Sequence, residues 1–334
     1  MNPSPDSSSV AHKPPASGGT PWFSNPLGWG LSLILLVVML FLLFAPIGPD
    51  YYSHRLYRTL WDLGHLPCFA LVAYVTVRGL WGRVRLSGPA WILLLSGGAL
   101  LAGVLVELIQ FQVGRSVSGR DLFNDLVGAY LVAVLYPPIQ RQLAPYLRRF
   151  LRAVLVALLA VAFAPLVIQA YDHSLALRQF PLLASFEHPT ELSRWKGSRH
   201  ERVAQYPVDG EYALRLRFQG EGYEGVSLSH FPGDWRGFEF LELSIYNEGE
   251  ALRATLRIHD DAHVRGEMAY SDRYNLGLQV ESGWNHLRIP LQQVAQAPLN
   301  REMDLSKIRN LGLFVYDLKR SGTIYLDDIR LAMK

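Results

Sequence analysis

A single cysteine, Cys68, is the chain's only thiol, so no disulfide framework holds any part of it. Charge is also sparse: 18% of residues are Asp, Glu, Lys or Arg, and the formal net charge is +3. That balance, with no basic cluster alternating with aromatics as a strand-binding groove requires, excludes nucleic acid as a partner. No group of His, Cys, Asp and Glu has the tight spacing of a zinc motif. The first apolar run also lacks the marks of a removable signal: no basic segment directly precedes it, and Ala45-Pro46-Ile47-Gly48-Pro49 behind it makes a poor cleavage site. It is therefore expected to stay in the protein as a helix.

Apolar residues are abundant, at 50% of the chain, but the mean hydropathy of +0.11 averages two unlike regions. Up to about Tyr171 long apolar runs dominate; from Phe180 to Lys334, 155 residues mix charge, aromatics and turn residues, enough to bury a core. A helix needs roughly 20 apolar residues to cross the hydrocarbon core. Leu27–Phe44, Leu86–Val106 and Ala153–Tyr171 supply 18, 21 and 19. Asp62–Trp81 and Asp121–Tyr136 are apolar apart from polar groups at their starts and Arg78. Five transmembrane helices are expected. The organisation is then a disordered Ser/Pro/Gly-rich tail over 1–26, a membrane domain over 27–171, a linker over 172–181, and a β domain over 182–334. Inner loops would hold Lys13, Arg78, Arg83, Arg85, Arg141, Arg148, Arg149 and Arg152, against Arg55, Arg58, Arg115 and Arg120 outside, so the basic bias places the N-terminus inside. Five crossings put the C-terminal domain on the outer side of a cytoplasmic (inner) membrane.

Polar residues in the membrane region gather at helix ends. Asp62 and His65 share a helix face, as do Glu107 and Gln110; Gly114, Arg115 and Ser116 make a turn; Asp121, Asn124 and Asp125 open the next helix. At one depth they offer carboxylates, an imidazole and a guanidinium, and charged groups inside membranes tend to mark function. Several uses stay open. Asp62 and Asp121 could serve as helix caps, with Arg115 an ion-pair partner; Glu107, deep in an uncharged stretch, must be paired, protonated or beside water. The set Asp62, His65, Glu107, Gln110, Arg115, Asp121 and Asn124 could instead bind a lipid or a lipid-linked glycan, with Arg115 on phosphate. His65, Glu107 and Asp121 could act as an intramembrane hydrolase or transferase with a general base, or ligate a metal together with Asp62.

The order Asp62-x-x-His65, Glu107-x-x-Gln110, Gly114-Arg115, then Asp121 and Gly128 resembles the VanZ-like family over roughly Tyr51–Tyr136. One departure stands out: the family usually carries Asn four residues after the Asp, where this chain has Asp125, with Asn124 one position earlier. The family's founding members are linked to glycopeptide-antibiotic resistance, so the resemblance implies a cell-envelope role and no defined reaction.

Beyond Phe180 the pattern alternates with period two. In Tyr212–Phe218, Tyr212, Leu214, Leu216 and Phe218 face one way and Ala213, Arg215 and Arg217 the other. Strands are expected at Leu182–Glu187, Gly225–His230, Phe238–Tyr246, Thr255–His259, Asn285–Pro290, Leu311–Tyr316 and Thr323–Leu331, separated by Asp209-Gly210, Pro232-Gly233, Asn247-Glu248-Gly249, Ser282-Gly283 and Ser321-Gly322. Strands at such spacing, with no amphipathic helix, argue for an all-β antiparallel sandwich. Phe186-Glu187, Gly283-Trp284-Asn285 and Tyr325-Leu326-Asp327-Asp328-Ile329-Arg330-Leu331 are similar to the galactose-binding-like jelly rolls of many carbohydrate-binding modules. That resemblance implies an envelope polysaccharide as partner. In that family the first and last strands often hold a structural calcium, and Glu187 and Asp328 occupy the matching positions; the alternative is a pair of carboxylates in water.

One segment departs from generic sandwich sequence. His259-Asp260-Asp261-Ala262-His263, followed by Tyr270, Asp272, Arg273, Tyr274 and Asn275, joins aromatic and planar polar groups as sugar sites do. If His259, Asp261 and His263 continue a strand they share one face. His259, Asp261, His263, Asp272, Arg273 and Tyr274 are the ligand-binding candidates, with a solvated loop as the alternative. A protein that only docks another envelope component is also compatible with the composition.

Overall fold

The computed structural model describes residues 26–44, 48–49, 53–112, 118–220, 222–316, 318 and 320–333. The expected tail before Pro26 and the Gly114-Arg115-Ser116 turn lie outside the described residues. The described residues fall into two compact units, those within 26–48 and 62–162, and those within 49–61 and 163–333.

Helices dominate the first half: α1 Pro26–Phe44, α2 Arg55–Leu63, α3 His65–Leu80, α4 Gly88–Gln112, α5 Gly119–Leu135, α6 Pro137–Arg141 and α7 Pro145–Gln179. Gly64 and Pro67 account for the short break between α2 and α3, because Pro67 cannot donate a backbone hydrogen bond and is tolerated in a first turn. In the first unit α5 packs against α3 and α4. Its helix–helix approach depends on Gly128, where a Cβ would stand 2.2 Å from the Leu66 carbonyl. Cys68, Phe69, Val77, Trp91, Leu95, Ala129 and Ala133 form the core, capped by Trp81 stacked on Trp91 at 5.4 Å.

Among the described residues, three helical stretches are long and apolar enough to cross a membrane: Arg55–Leu80, Gly88–Gln112 and Pro145–Gln179. This corrects the expectation of five. The Asp121–Tyr136 segment is helical, but α5 has 17 residues, about 25 Å long, short of the roughly 30 Å hydrocarbon core. It begins with Arg120 and Asp121 and spends its burial on protein contacts: Asn124, Asp125, Val127 and Gly128 are all enclosed. In α1, only Gly30–Met39 counts as an apolar helix among the described residues. The expected linker 172–181 instead continues α7 as far as Gln179.

The second unit is a sandwich of antiparallel strands: β1 Leu182–Ala184, β2 Trp195–Gly197, β3 His200–Val203, β4 Ala213–Phe218, β5 Tyr223–Leu228, β6 Phe240–Asn247, β7 Leu252–Asp260, β8 Tyr274–Val280, β9 Gly283–Pro290, β10 Ile308–Tyr316 and β11 Gly322–Ala332. Two short helices interrupt them, α8 Asp261–Arg265 and α9 Leu291–Ala295. One sheet runs β3-β4-β11-β6-β9 with β1 also on β11; the other runs β2-β5-β10-β7-β8. Alternation builds the core between them. Leu214, Leu216, Leu241, Ile245, Leu256, Ile258, Leu313 and Leu326 are enclosed, with Trp195 and Trp235 among them.

Buried charges fix the unit's irregular parts. The Arg194 side chain, fully enclosed, donates through Nε to both oxygens of Asp172 at 3.0 and 3.1 Å and through a terminal nitrogen to the Asp172 carbonyl. Glu191, equally enclosed, accepts from the Ser185 and Phe186 amides at 3.0 and 3.1 Å. A buried ion costs several kcal/mol to desolvate, so removing one partner of such a pair leaves the other uncompensated.

Candidate functional site

In the helical unit the side chain of His65, at the start of α3, lies between two carboxylates of α5. Its Nδ1 is 2.9 Å from Asp125 Oδ1, and its Nε2 is 3.8 Å from Asp121 Oδ2. Asp121 and Asp125 are four residues apart on one helix face. Ser118, not Asp121, caps α5, its hydroxyl accepting from the Asp121 amide. Glu107 on α4 accepts from the Ser118 amide at 2.8 Å through Oε2, while its Oε1 is buried with no hydrogen-bond partner. Gly103, one turn earlier on α4, admits the cluster: a Cβ there would be 2.7 Å from Asp125 Oδ2. Asn124 donates to the Asp62 carbonyl at 3.0 Å, and Gln110 is buried. Of the expected set, His65 and Asp121 meet directly. Arg115 lies outside the described residues.

Asp125 is the residue the sequence presented as a departure and the structure makes central. A carboxylate on Nδ1 orients the ring and leaves Nε2 facing Asp121, the arrangement in which an imidazole can take a proton from water or a hydroxyl. No group of three or more His, Cys, Asp or Glu side chains suited to a metal occurs among the described residues.

The 259–275 segment serves the fold of the sandwich. β7 ends at Asp260 and Asp261–Arg265 is helical, so His259, Asp261 and His263 do not share a strand face. Asp260 caps α8 by accepting from the His263 amide at 3.0 Å. His263, a ligand-binding candidate in the sequence, is 2% exposed, and its Nδ1 lies 3.3 Å from Asp272 Oδ2. Arg301 bridges Asp260 and Asp272, with contacts of 2.6 Å to each. Tyr274 begins β8 and its side chain packs in the core. Arg273 bonds Asn275 through Nε and lies over the Tyr270 ring. Asp261 pairs with Arg265 and Arg309.

The calcium candidates are likewise occupied within the chain. Glu187 Oε1 accepts from the amides of Glu211 and Tyr212, both at 2.9 Å, and Asp328 pairs with Arg330.

The outer face of the β3-β4-β11-β6-β9 sheet carries a different arrangement. Register places Glu201, Arg215, Tyr325, Tyr246 and Trp284 in one row across all five strands. Tyr246 stacks on Tyr206 at 3.8 Å and meets Trp284 edge-on at 5.2 Å, and Trp284 lies parallel to His286 at 5.6 Å. Trp284 is 40% exposed and Tyr206 37%. Arg215 forks onto Glu201, and the Tyr325 hydroxyl donates to Glu248 at 2.7 Å. In the neighbouring row, burial pushes the Asp327 carboxyl up to about 6. Exposed aromatic faces flanked by paired polar groups suit the apolar face and hydroxyl edge of a sugar ring. The signal was present in the alternation: Trp284 shares parity with His286 and Arg288, on the polar side of β9, where an aromatic is not needed for the core.

No family model matches the chain, and no curated protein matches it. Among solved structures it is similar to the family 11 carbohydrate-binding module from Clostridium thermocellum in complex with a β-1,3-1,4-mixed-linked tetrasaccharide. The identity is 16% and the TM-score 0.37, over 46% of this chain and 94% of that one. An exo-β-agarase is similar at 18% identity and a TM-score of 0.38, over 46% of this chain and 25% of that one. The family 30 carbohydrate-binding module of a Clostridium thermocellum cellulosomal cellulase is similar at 18% identity and a TM-score of 0.30, over 40% and 82% of the two chains.

Proposed function

We propose that the protein is a membrane-anchored glycan-binding component of the cell envelope, holding a polysaccharide on the aromatic row of its sandwich. The observation that carries this reading is the row Glu201–Arg215–Tyr325–Tyr246–Trp284, with Trp284 and Tyr206 open to solvent. Membrane insertion is supported by three stretches of sufficient length and by the outward face of α4, where Leu93 and Leu101 are 74% and 70% exposed. Such apolar surface is costly in water and at rest in lipid. With three crossings Lys13, Arg115, Arg120, Arg141, Arg148, Arg149 and Arg152 fall on one side against Arg78, Arg83 and Arg85 on the other, which supports an N-inside orientation with the sandwich outside; a C-terminal reporter active only in the cytoplasm would overturn it. The test of glycan binding is calorimetry of the full chain in detergent against a panel of neutral envelope and plant polysaccharides, with Trp284→Ala alongside. Binding that Trp284→Ala abolishes supports the reading, and no binding by a folded chain removes it.

A second reading has its own observation, the His65 ring fixed between Asp125 and Asp121. With the VanZ-like pattern, it favours hydrolysis or transfer on a lipid-linked glycan in the membrane, His65 acting as base. Asp125→Asn should then abolish turnover of such a lipid while leaving protein abundance and polysaccharide binding intact.

A further inference from the structure

The outer face of the other sheet, β2-β5-β10-β7-β8, bears no resemblance to the aromatic row. It holds a cavity of about 460 Å³ whose lining includes four cations from three segments: Lys196 on β2, Arg257 on β7, and Lys307 and Arg309 at the start of β10. Register brings Lys196 opposite Ser227, and Asn310 opposite His259, so cationic and hydrogen-bonding groups alternate across the sheet. No carboxylate lines the cavity among the described residues. Lys307 and Arg309 are tethered from outside it, to Asp304 at 3.5 Å and Asp261 at 2.7 Å.

Two lining imidazoles indicate what the cavity favours. His259 is 7% exposed and its Nδ1 has no hydrogen-bond partner; His230 Nε2 is likewise buried and unpartnered. Burial, with Arg55 and Lys196 nearby, pushes the His230 ring down to about 3, and burial with His263 and Arg257 does the same to His259. Desolvation opposes any charge on these rings, but the neighbouring Arg55, Lys196 and Arg257 that add to the shifts favour an anion in the cavity. His54 completes the wall, its ring edge-on to His173 at 4.8 Å and its Nδ1 accepting from the Leu56 amide, which leaves Nε2 as the donor of the neutral ring.

We infer that this cavity binds a phosphoryl group, carried by a sugar phosphate or by a phospholipid headgroup. A carboxylate is planar and is met well by a single guanidinium fork, whereas a tetrahedral phosphoryl presents oxygens in several directions and rewards cations placed on different sides. Lys196, Arg257 and the Lys307–Arg309 pair come from three segments of the sheet and all line the space. The volume lies within the range of small-ligand pockets and exceeds what a bare phosphate needs, which leaves room for one sugar or glycerol beside it. The site stands apart from the aromatic row, on the opposite sheet, so each can fail without the other.

Calorimetry on the full chain in detergent tests this with glucose 1-phosphate, with dihexanoylphosphatidylglycerol below its micelle concentration, and with trigalacturonate as the carboxylate control. Saturable binding of one or both phosphoryl probes is expected, and the tighter of the two identifies the source. Binding should weaken by about tenfold or more in Lys196→Gln/Arg257→Gln. The same variant should keep its melting temperature and its affinity for any neutral glycan. Because Arg257 also lies over the Phe314 ring, the single variant Lys196→Gln provides a second measurement that spares that packing, with a severalfold loss expected. Binding of neither phosphoryl probe, equal binding of trigalacturonate, or phosphoryl affinity unchanged in both variants would overturn the inference.

Discussion

The two sheets of the sandwich close over a common core of Leu, Ile, Val and Phe, yet turn unlike chemistries outward. On the β3-β4-β11-β6-β9 face one cross-strand row holds aromatic rings and a paired Arg215–Glu201. On the β2-β5-β10-β7-β8 face the equivalent space is a cavity with cations and imidazoles on its walls. The inward positions are interchangeable in kind because any close-packed apolar set fills them, whereas each outward row has a composition the core does not require. Function is therefore sought on the outward rows, and the difference between them underlies the two separate proposals, a neutral glycan on one and a phosphoryl group on the other.

The most damaging way to break this comparison is to collapse one face while sparing the other. Arg301→Ala strands Asp260, which is fully enclosed, at the end of the strand that carries Arg257 and His259. Loss of about 3–5 kcal/mol is expected by denaturant unfolding of the full chain, with phosphoryl binding impaired before glycan binding. A drop below about 1 kcal/mol would mean that the ion network is dispensable.

Trp284→Ala sharpens the comparison from the other side. Removing an exposed stacking surface should weaken neutral-glycan binding by about tenfold, with phosphoryl affinity and melting temperature unchanged. Parallel loss at both faces would show that they form one site or that the variant is misfolded.

Salt separates the faces without mutation. Raising sodium chloride from about 0.05 to 0.5 M shortens the screening length from roughly 14 to 4 Å. Phosphoryl binding should fall severalfold while glycan binding stays within about twofold, as titrations at both salt concentrations would show.

A proton distinguishes them as well. Asp327 adjoins the aromatic row and its carboxyl is raised from 3.8 to about 6 by burial. Between those values the unfolded chain has lost the proton that the folded chain keeps. The stabilisation is thus complete below about pH 3.8 and is lost as pH rises through about 6. Asp327→Asn should flatten a decline of a few degrees in melting temperature over that window.

The smallest effect is expected from calcium. With Glu187 and Asp328 already bonded to backbone amides and to Arg330, chelation should move the melting temperature by less than about 2 °C. A larger drop would support the calcium reading, with the metal beside β1 and β11 of one sheet.

Legibility followed the range of the interactions. Alternation over Ala213–Phe218, Phe240–Asn247 and Gly322–Ala332 marked strands because period two is local. The strands Trp195–Gly197 and His200–Val203 are too short to carry a period. Tyr274–Val280 was hidden within a polar stretch whose ligand-like groups proved to be a capping Asp, a buried His and an ion network. In the helical unit the three polar helix ends were visible as motifs, but the span count was not, since α5 is apolar for the sake of its helical neighbours. Trp284 was readable as a sandwich feature, and its parity already placed it on the polar side.

By itself the sequence determined the division into an apolar helical half and an alternating β half, because both depend on side-chain periodicity, which is a property of neighbouring residues. It also placed His65 and Asp121 in the first turns of helices, through helical spacing, although Ser118 and not Asp121 proved to be the cap of α5. Only the tertiary structure decided that Asp125 meets His65, that Tyr325, Tyr246 and Trp284 stand in one row, and that Lys196, Arg257, Lys307 and Arg309 line one cavity. Those meetings join positions tens of residues apart. They are set by strand register and by glycines such as Gly128 that let helices approach, and neither leaves a local pattern to read.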